Sequence, residues 1–193
     1  MNRSILSRTL CLMGLTVLVS LGAQAQQTFG VSGAQELKVS GTSTIHDWDM
    51  VATDGITGSA NMMLENGKLT KITTLTLSFP VKSLKSGKSS MDDNAYKALL
   101  ESKNPNIKFE MTELTGITGN TVKAKGKLTI AGDTQIVPLT LTYSVSGSTV
   151  TFTGTHPIKF TQFKVSPPSA VFNTIKTGDD LTLAFKTNFI KKN

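Results

Sequence analysis

The residues able to do chemistry are few and poorly spaced for it. The chain holds two His and one Cys among 193 residues. His46 stands in the run Ser43-Thr44-Ile45-His46-Asp47-Trp48, where serine, histidine and aspartate invite a hydrolytic reading. That chemistry needs a nucleophile on a sharp elbow, a base within hydrogen-bond reach and an oxyanion hole. Ser43 lacks the G-x-S-x-G surroundings, and the sequence offers no oxyanion loop. In a strand, His46 and Asp47 would point to opposite faces and would not pair. His46 reads better as a buried, hydrogen-bonded strand residue whose face continues through Trp48 and Met50. A metal site needs more ligands than these, and His156 is far off in sequence. Asp92 and Asp93 sit where a helix begins, and acids there ordinarily answer the helix dipole. No catalytic set, metal set or cofactor is expected.

What remains is a series of one-sided apolar faces. Leu75, Leu77 and Phe79 alternate with Thr74, Thr76 and Ser78. Ile107, Phe109 and Met111 do the same, as do Val122, Ala124, Gly126, Leu128 and Ile130. Val137, Leu139, Leu141, Tyr143 and Val145 form another face; Val150 and Phe152 begin one, and Leu181, Leu183 and Phe185 make the last. Period two with one wet face predicts antiparallel sheet. Asn66-Gly67, Gly119-Asn120, Gly132-Asp133 and Gly147-Ser148 predict hairpin turns between the faces. Met91–Ser102 breaks the pattern. Met91, Ala95 and Leu99 fall on one helical face, Ser90 is a candidate N-cap with Asp93 three residues on, and Asn104-Pro105 stops the helix. Gln162–Thr177, with Pro167-Pro168, is too long for a tight hairpin.

Composition narrows the class. Charged residues are 17% of the chain, and the formal net charge is +7. Residues 1–25 form a secretory signal in outline: Arg3 and Arg8, an uncharged run from Thr9 to Ala23, then Ala23-Gln24-Ala25. The run is too short for a comfortable span, and Cys11 comes too early for a lipoprotein signal. Cleavage after Ala25 removes both arginines and the only cysteine, leaving residues 26–193 as one domain with no disulfide. Lysine alone then supplies the positive charge, spread along the chain. That argues against nucleic acid, which favours clustered charge and the arginine fork. The mature chain is expected to be periplasmic or secreted, without a membrane span.

Seven or eight strands of about ten residues must stack as a sandwich or close as a barrel. Closure removes exposed edges, and eight strands leave an interior that side chains can fill or one small ligand can occupy. The strand lengths favour an up-and-down barrel. Alternation alone does not separate a packed core from the wall of a cavity.

Longer motifs carry a resemblance. Phe79-Pro80-Val81-Lys82-Ser83-Leu84-Lys85-Ser86-Gly87 is followed by Met91-Asp92-Asp93-Asn94-Ala95-Tyr96-Lys97-Ala98-Leu99 and by Asn104-Pro105-Asn106-Ile107-Lys108-Phe109. Then come Gly126-Lys127-Leu128-Thr129-Ile130-Ala131-Gly132 and Val137-Pro138-Leu139. In this order, from about Leu37 to Ile190, the elements resemble the YceI-like family. The resemblance implies a lipocalin-like barrel, secreted or periplasmic, with an isoprenoid lipid such as a polyprenyl or quinone tail inside and no enzymatic activity. Two stretches depart from the family pattern. The start reads Ser43-Thr44-Ile45-His46-Asp47-Trp48 where a His-Ser is common. The later stretch reads Lys159-Phe160-Thr161-Gln162-Phe163 where Arg-x-Asp-Phe-Gly is common.

The expectation is therefore an all-β barrel of about eight strands with one short helix, binding or carrying a long apolar lipid. Candidate lining residues are Trp48, Met50, Leu77, Phe79, Phe109, Met111, Ala124, Leu128, Ile130, Leu139, Leu141, Phe152, Leu183 and Phe185. Ala124 and Gly126 are expected to leave room beside Leu128 and Ile130. The rival reading is a non-enzymatic β-sandwich scaffold or adhesion domain with a filled core. A hydrolase built on His46 is the weakest reading.

Overall fold

Period two in the sequence becomes strand after strand in the computed structural model, which describes residues 26–33, 35–170 and 174–192. The segment 1–25 read as a signal lies outside them. The strands are β1 (Gln27–Val31), β2 (Glu36–Ser43), β3 (Trp48–Ala52), β4 (Thr57–Glu65), β5 (Lys68–Pro80), β6 (Leu84–Lys85), β7 (Asn106–Thr118), β8 (Thr121–Ile130), β9 (Asp133–Ser146), β10 (Thr149–Lys159), β11 (Ser169–Ala170) and β12 (Ile175–Lys191). One helix, α1 (Ser89–Ala98), lies between β6 and β7. Antiparallel pairing runs β1-β4-β5-β7-β8-β9-β10-β12 and returns to β1, where Val31 lies opposite Phe189. The ring of eight is a barrel. At the α1 end, β2, β3 and β6 continue the wall from β12.

The first four strands are two bent ones. Gly41 faces Trp48 and Lys38 faces Val51 in the β2–β3 pair. Gly30 faces Ser59 and Gln27 faces Met62 in the β1–β4 pair. Both pairs keep one register, so a single long hairpin bends in its middle and reaches both ends of the barrel. The expected turn at Gly132-Asp133 is displaced by one residue. Ala131 (φ 51°) and Gly132 (φ 84°) take the two left-handed positions that a two-residue hairpin turn requires.

The wall has one split. β9 and β10 pair from Ser146–Thr149 to Leu141–Gly154 and then part. Beyond that point β9 stays with β8 and β10 stays with β12. Carried on, the register would set Pro138 opposite Pro157. Neither has an N–H to donate, so the ladder loses its donors from both sides there. The turn Thr161–Phe163 folds back by the opening, and Phe163 and Val165 are buried in the core of this end. Lys164, held left-handed at φ 56°, reaches Asp133 at the start of β9 (2.6 Å). Asp179 accepts hydrogen bonds from the Thr161 N–H (2.9 Å) and hydroxyl (2.6 Å).

The helix begins slightly earlier than the sequence suggests. Lys88 is its N-cap residue, and Ser90 lies inside the first turn rather than capping it. Asp92 is buried and binds backward: its Oδ1 accepts from the Ser86 N–H (2.8 Å) and hydroxyl (2.7 Å). The acid thus fixes the loop that leads into the helix. Tyr96 anchors the other flank, donating to the Leu84 carbonyl (2.8 Å) and accepting from Lys85 Nζ (2.8 Å).

Candidate ligand-binding cavity

The inward side chains form two groups. At the end away from α1, Phe29, Met62, Leu69, Ile72, Val122, Tyr143, Val150, Phe152 and Phe189 are buried against one another. The rings of Phe152 and Phe189 meet edge-on, with centroids 5.9 Å apart. The Tyr143 hydroxyl accepts from the Leu69 N–H (3.2 Å), which satisfies a buried donor at this floor. The floor is closed by packing.

Towards α1 the same inward face is not closed. Leu77, Phe79, Phe109, Leu139, Leu141, Leu183 and Phe185 are only part-buried, although they sit on the core side of their strands. They border an apolar cavity of about 480 Å³. This separates the two readings that alternation left open: half-buried aliphatics on adjacent inward positions mean an unfilled interior. The volume lies within the range of small-molecule sites. Met91, Ala95 and Ala98 of α1, with Leu99 just after it, stand at one side of the mouth, and Ile45, Phe160, Pro168 and Ile175 line it too. Ile45 is 61% exposed. Trp48 lies across Gly41 with its ring 6.4 Å from that of Phe160, and its indole N–H donates to the Thr42 carbonyl (3.0 Å).

Of the residues singled out by sequence, Trp48, Met50, Leu77, Phe79, Phe109, Leu128, Ile130, Leu139, Leu141, Phe152, Leu183 and Phe185 stand on this wall. Met111 and Ala124 do not. Met111 packs into the floor group. Ala124 is buried between strand neighbours, opposite Leu114, which packs on the floor group, and Leu139, which stands on the cavity wall. The expectation that Gly126 leaves space for a ligand also fails: a Cβ there would overlap the Phe109 ring, so the aromatic already fills the gap.

Ser43 and His46 form a turn and not a catalytic pair. The Ser43 hydroxyl donates to the His46 carbonyl (2.7 Å), and the His46 N–H donates back to Ser43 Oγ (3.2 Å). The imidazole Nδ1 lies 2.8 Å from the Asp47 carbonyl oxygen. His46 is exposed at the mouth, not the buried residue expected. Among the described residues no three His, Cys, Asp or Glu side chains gather as a metal site. His156, passed over in the sequence except as too distant for a metal partner, faces the cavity from β10. Burial holds its pKa below the usual histidine value. The signal was there: His156 continues the inward series Val150, Phe152, Ile158.

A closed eight-stranded barrel with a blind apolar interior defines a lipocalin-like binding fold. Residues 20–189 match the YceI-like domain model, and the chain belongs to that family. No curated protein matches it. Similar solved structures include BcnA of Burkholderia cenocepacia, at 19% identity and TM-score 0.65, covering 80% of this chain and 95% of that one. A domain from Saccharophagus degradans described as polyisoprenoid binding is 9% identical, TM-score 0.66, covering 87% of this chain and 100% of that one. The Campylobacter jejuni YCEI protein is 18% identical, TM-score 0.56, covering 70% and 81%. These likenesses are likenesses of fold.

Proposed function

We propose that the protein binds a long apolar lipid of isoprenoid type inside the barrel and carries or stores it outside the cytoplasm. The observation that carries this is the unfilled apolar interior, about 480 Å³ with a packed floor and an open mouth. The family and the Saccharophagus degradans domain's description support the isoprenoid class. An apolar cavity of about 150 Å³ stays dry and accepts benzene. The interior here therefore encloses on the order of three five-carbon units. A longer chain would leave through the mouth beside Ile45 and α1. Burial of each methylene contributes about 0.8 kcal/mol, so the tail supplies most of the affinity. The export signal read in residues 1–25 fits a site of action in the periplasm or beyond.

Lipid extraction and mass spectrometry of the purified exported protein test the reading, together with quenching of the single Trp48 by a long-chain isoprenoid quinone. A co-purifying prenyl lipid and saturable quenching are expected. Absence of both would overturn the lipid-binding reading and leave the non-enzymatic scaffold or adhesion reading.

A further inference from the structure

His156 is the only ionisable side chain among the inward strand positions of the cavity wall in the described residues. The register places it in an apolar row: His156 faces Leu183, Leu183 faces Val39, and Val39 faces Met50. The row nearer the mouth holds Ile158, Leu181, Gly41 and Trp48, and the row nearer the floor holds Gly154 and Phe185. On its other flank β9 has already parted from β10, so no strand neighbour is paired there. No described residue hydrogen-bonds the imidazole. Burial favours its neutral form, which has one N–H donor and one ring-nitrogen acceptor. Its nitrogens still reach the open cavity, and a bound tail that displaced water from them would leave them unpaired at a cost that an apolar chain cannot offset.

Among the described residues no lysine stands on an inward position at this depth: Lys38, Lys108 and Lys159 border the cavity from outward strand positions, and Lys88 from the start of α1. Lys159, next to this row in the chain, points outward and is tied to Asp180 (2.6 Å). An anion drawn to this depth would lose its hydration against aliphatic walls. We propose that His156 is a specificity residue: it hydrogen-bonds the uncharged polar group, a hydroxyl or carbonyl, of an amphiphilic lipid held at mid-depth, and the site disfavours an anionic head. This rests on the lipid-binding reading above and adds the chemistry of the head group and its position.

Three probes share one fifteen-carbon tail sized for the cavity: farnesol, farnesene and farnesyl phosphate. Their affinities are read by Trp48 fluorescence on the purified exported protein. Farnesol should bind about five- to tenfold more tightly than farnesene, the worth of one hydrogen bond, with farnesyl phosphate weakest. His156→Phe should abolish the advantage of farnesol while farnesene binding persists, and His156→Gln should keep it. As a measurement free of substitution, imidazole 15N resonances of His156 in the wild type should shift with farnesol and stay with farnesene. Binding of all three without head-group preference, or with farnesyl phosphate tightest, overturns this inference and leaves the lipid-binding reading standing. Binding of none overturns both.

Discussion

Gly126 on β8 and Phe109 on β7 share one volume. The strands pair with Met111 opposite Gly126 and Phe109 opposite Leu128, so the ring of Phe109 leans diagonally across the glycine. A Cβ at 126 would overlap that ring and would also lie 2.8 Å from the Glu110 carbonyl oxygen. The glycine is therefore the reason Phe109 can lie flat on the wall rather than project into the cavity. Gly126→Ala is expected to push the ring inward, at a cost of about 1–3 kcal/mol in stability as overpacking. Chemical denaturation measures it, and an unchanged midpoint would mean that the wall yields elsewhere.

A second outcome concerns pH. The folded protein holds His156 below its usual pKa through burial. Between that lowered value and about 6.5, the unfolded chain binds a proton that the folded chain does not. Stability therefore rises with pH through this window and is lost on acidification below about 6.5. His156→Phe should flatten this part of the profile. Thermal midpoints at several pH values between 5 and 7.5 decide it; parallel profiles for the two proteins would assign the dependence to other groups.

The ion pair of Lys164 with Asp133 ties the turn at Thr161–Phe163 to β9. Lys164 and then Gln135 hold the Asp133 carboxyl below the usual carboxylate range, and Asp133 holds Lys164 above the usual lysine value. The contribution of Asp133 is present above about pH 4 and is lost as pH falls through its depressed pKa; that of Lys164 lasts until pH rises above about 10.5. Lys164 is largely exposed, so solvent screens the pair and it adds little to global stability. Lys164→Ala should leave global stability nearly unchanged but speed hydrogen exchange at Phe163, Lys164 and Val165. Equal exchange in both proteins would show that Asp179 holds the turn alone.

Processing is open to direct measurement. The Ala23-Gln24-Ala25 junction predicts a mature chain starting at Gln26. Intact mass of the exported protein should match residues 26–193. Recovery of the uncleaved chain from the membrane fraction would make residues 1–25 an anchor.

Strands β5, β7, β8, β9, β10 and β12 were legible because each has one face towards the interior and one towards water. β1 to β4 were harder to read. Their two bent strands are broken near Ser32–Gln35 and Thr53–Ile56, so no long alternation survives. The cavity was not legible in the alternation, because Leu139 or Leu183 obeys the same period whether it meets a neighbour or a void; only the family resemblance implied it. Depth was not legible either. Met111 and Ala124 face inward as read, but Met111 lies by the floor and Ala124 is buried off the cavity wall, and only the packing of Phe29, Phe152 and Phe189 reveals where the floor is. Gly126 looked like free space because the sequence does not say which neighbour leans over it.

The two prolines at the split, Pro138 and Pro157, have a consequence for what the barrel will not admit. Closure normally leaves a barrel no free strand edge, yet the split gives β9 and β10 an edge each within the wall. Such edges invite another backbone to add a strand. Pro138 and Pro157 each remove a donor from that invitation. The opening is thus poor for a peptide strand, while an aliphatic chain needs no ladder to pass it. Valine at both positions would restore the donors. The double variant is expected either to zip β9 to β10, slowing hydrogen exchange along both, or to associate through the restored edges. Exchange and light scattering that match the wild type would mean that Phe163, not the prolines, keeps the strands apart.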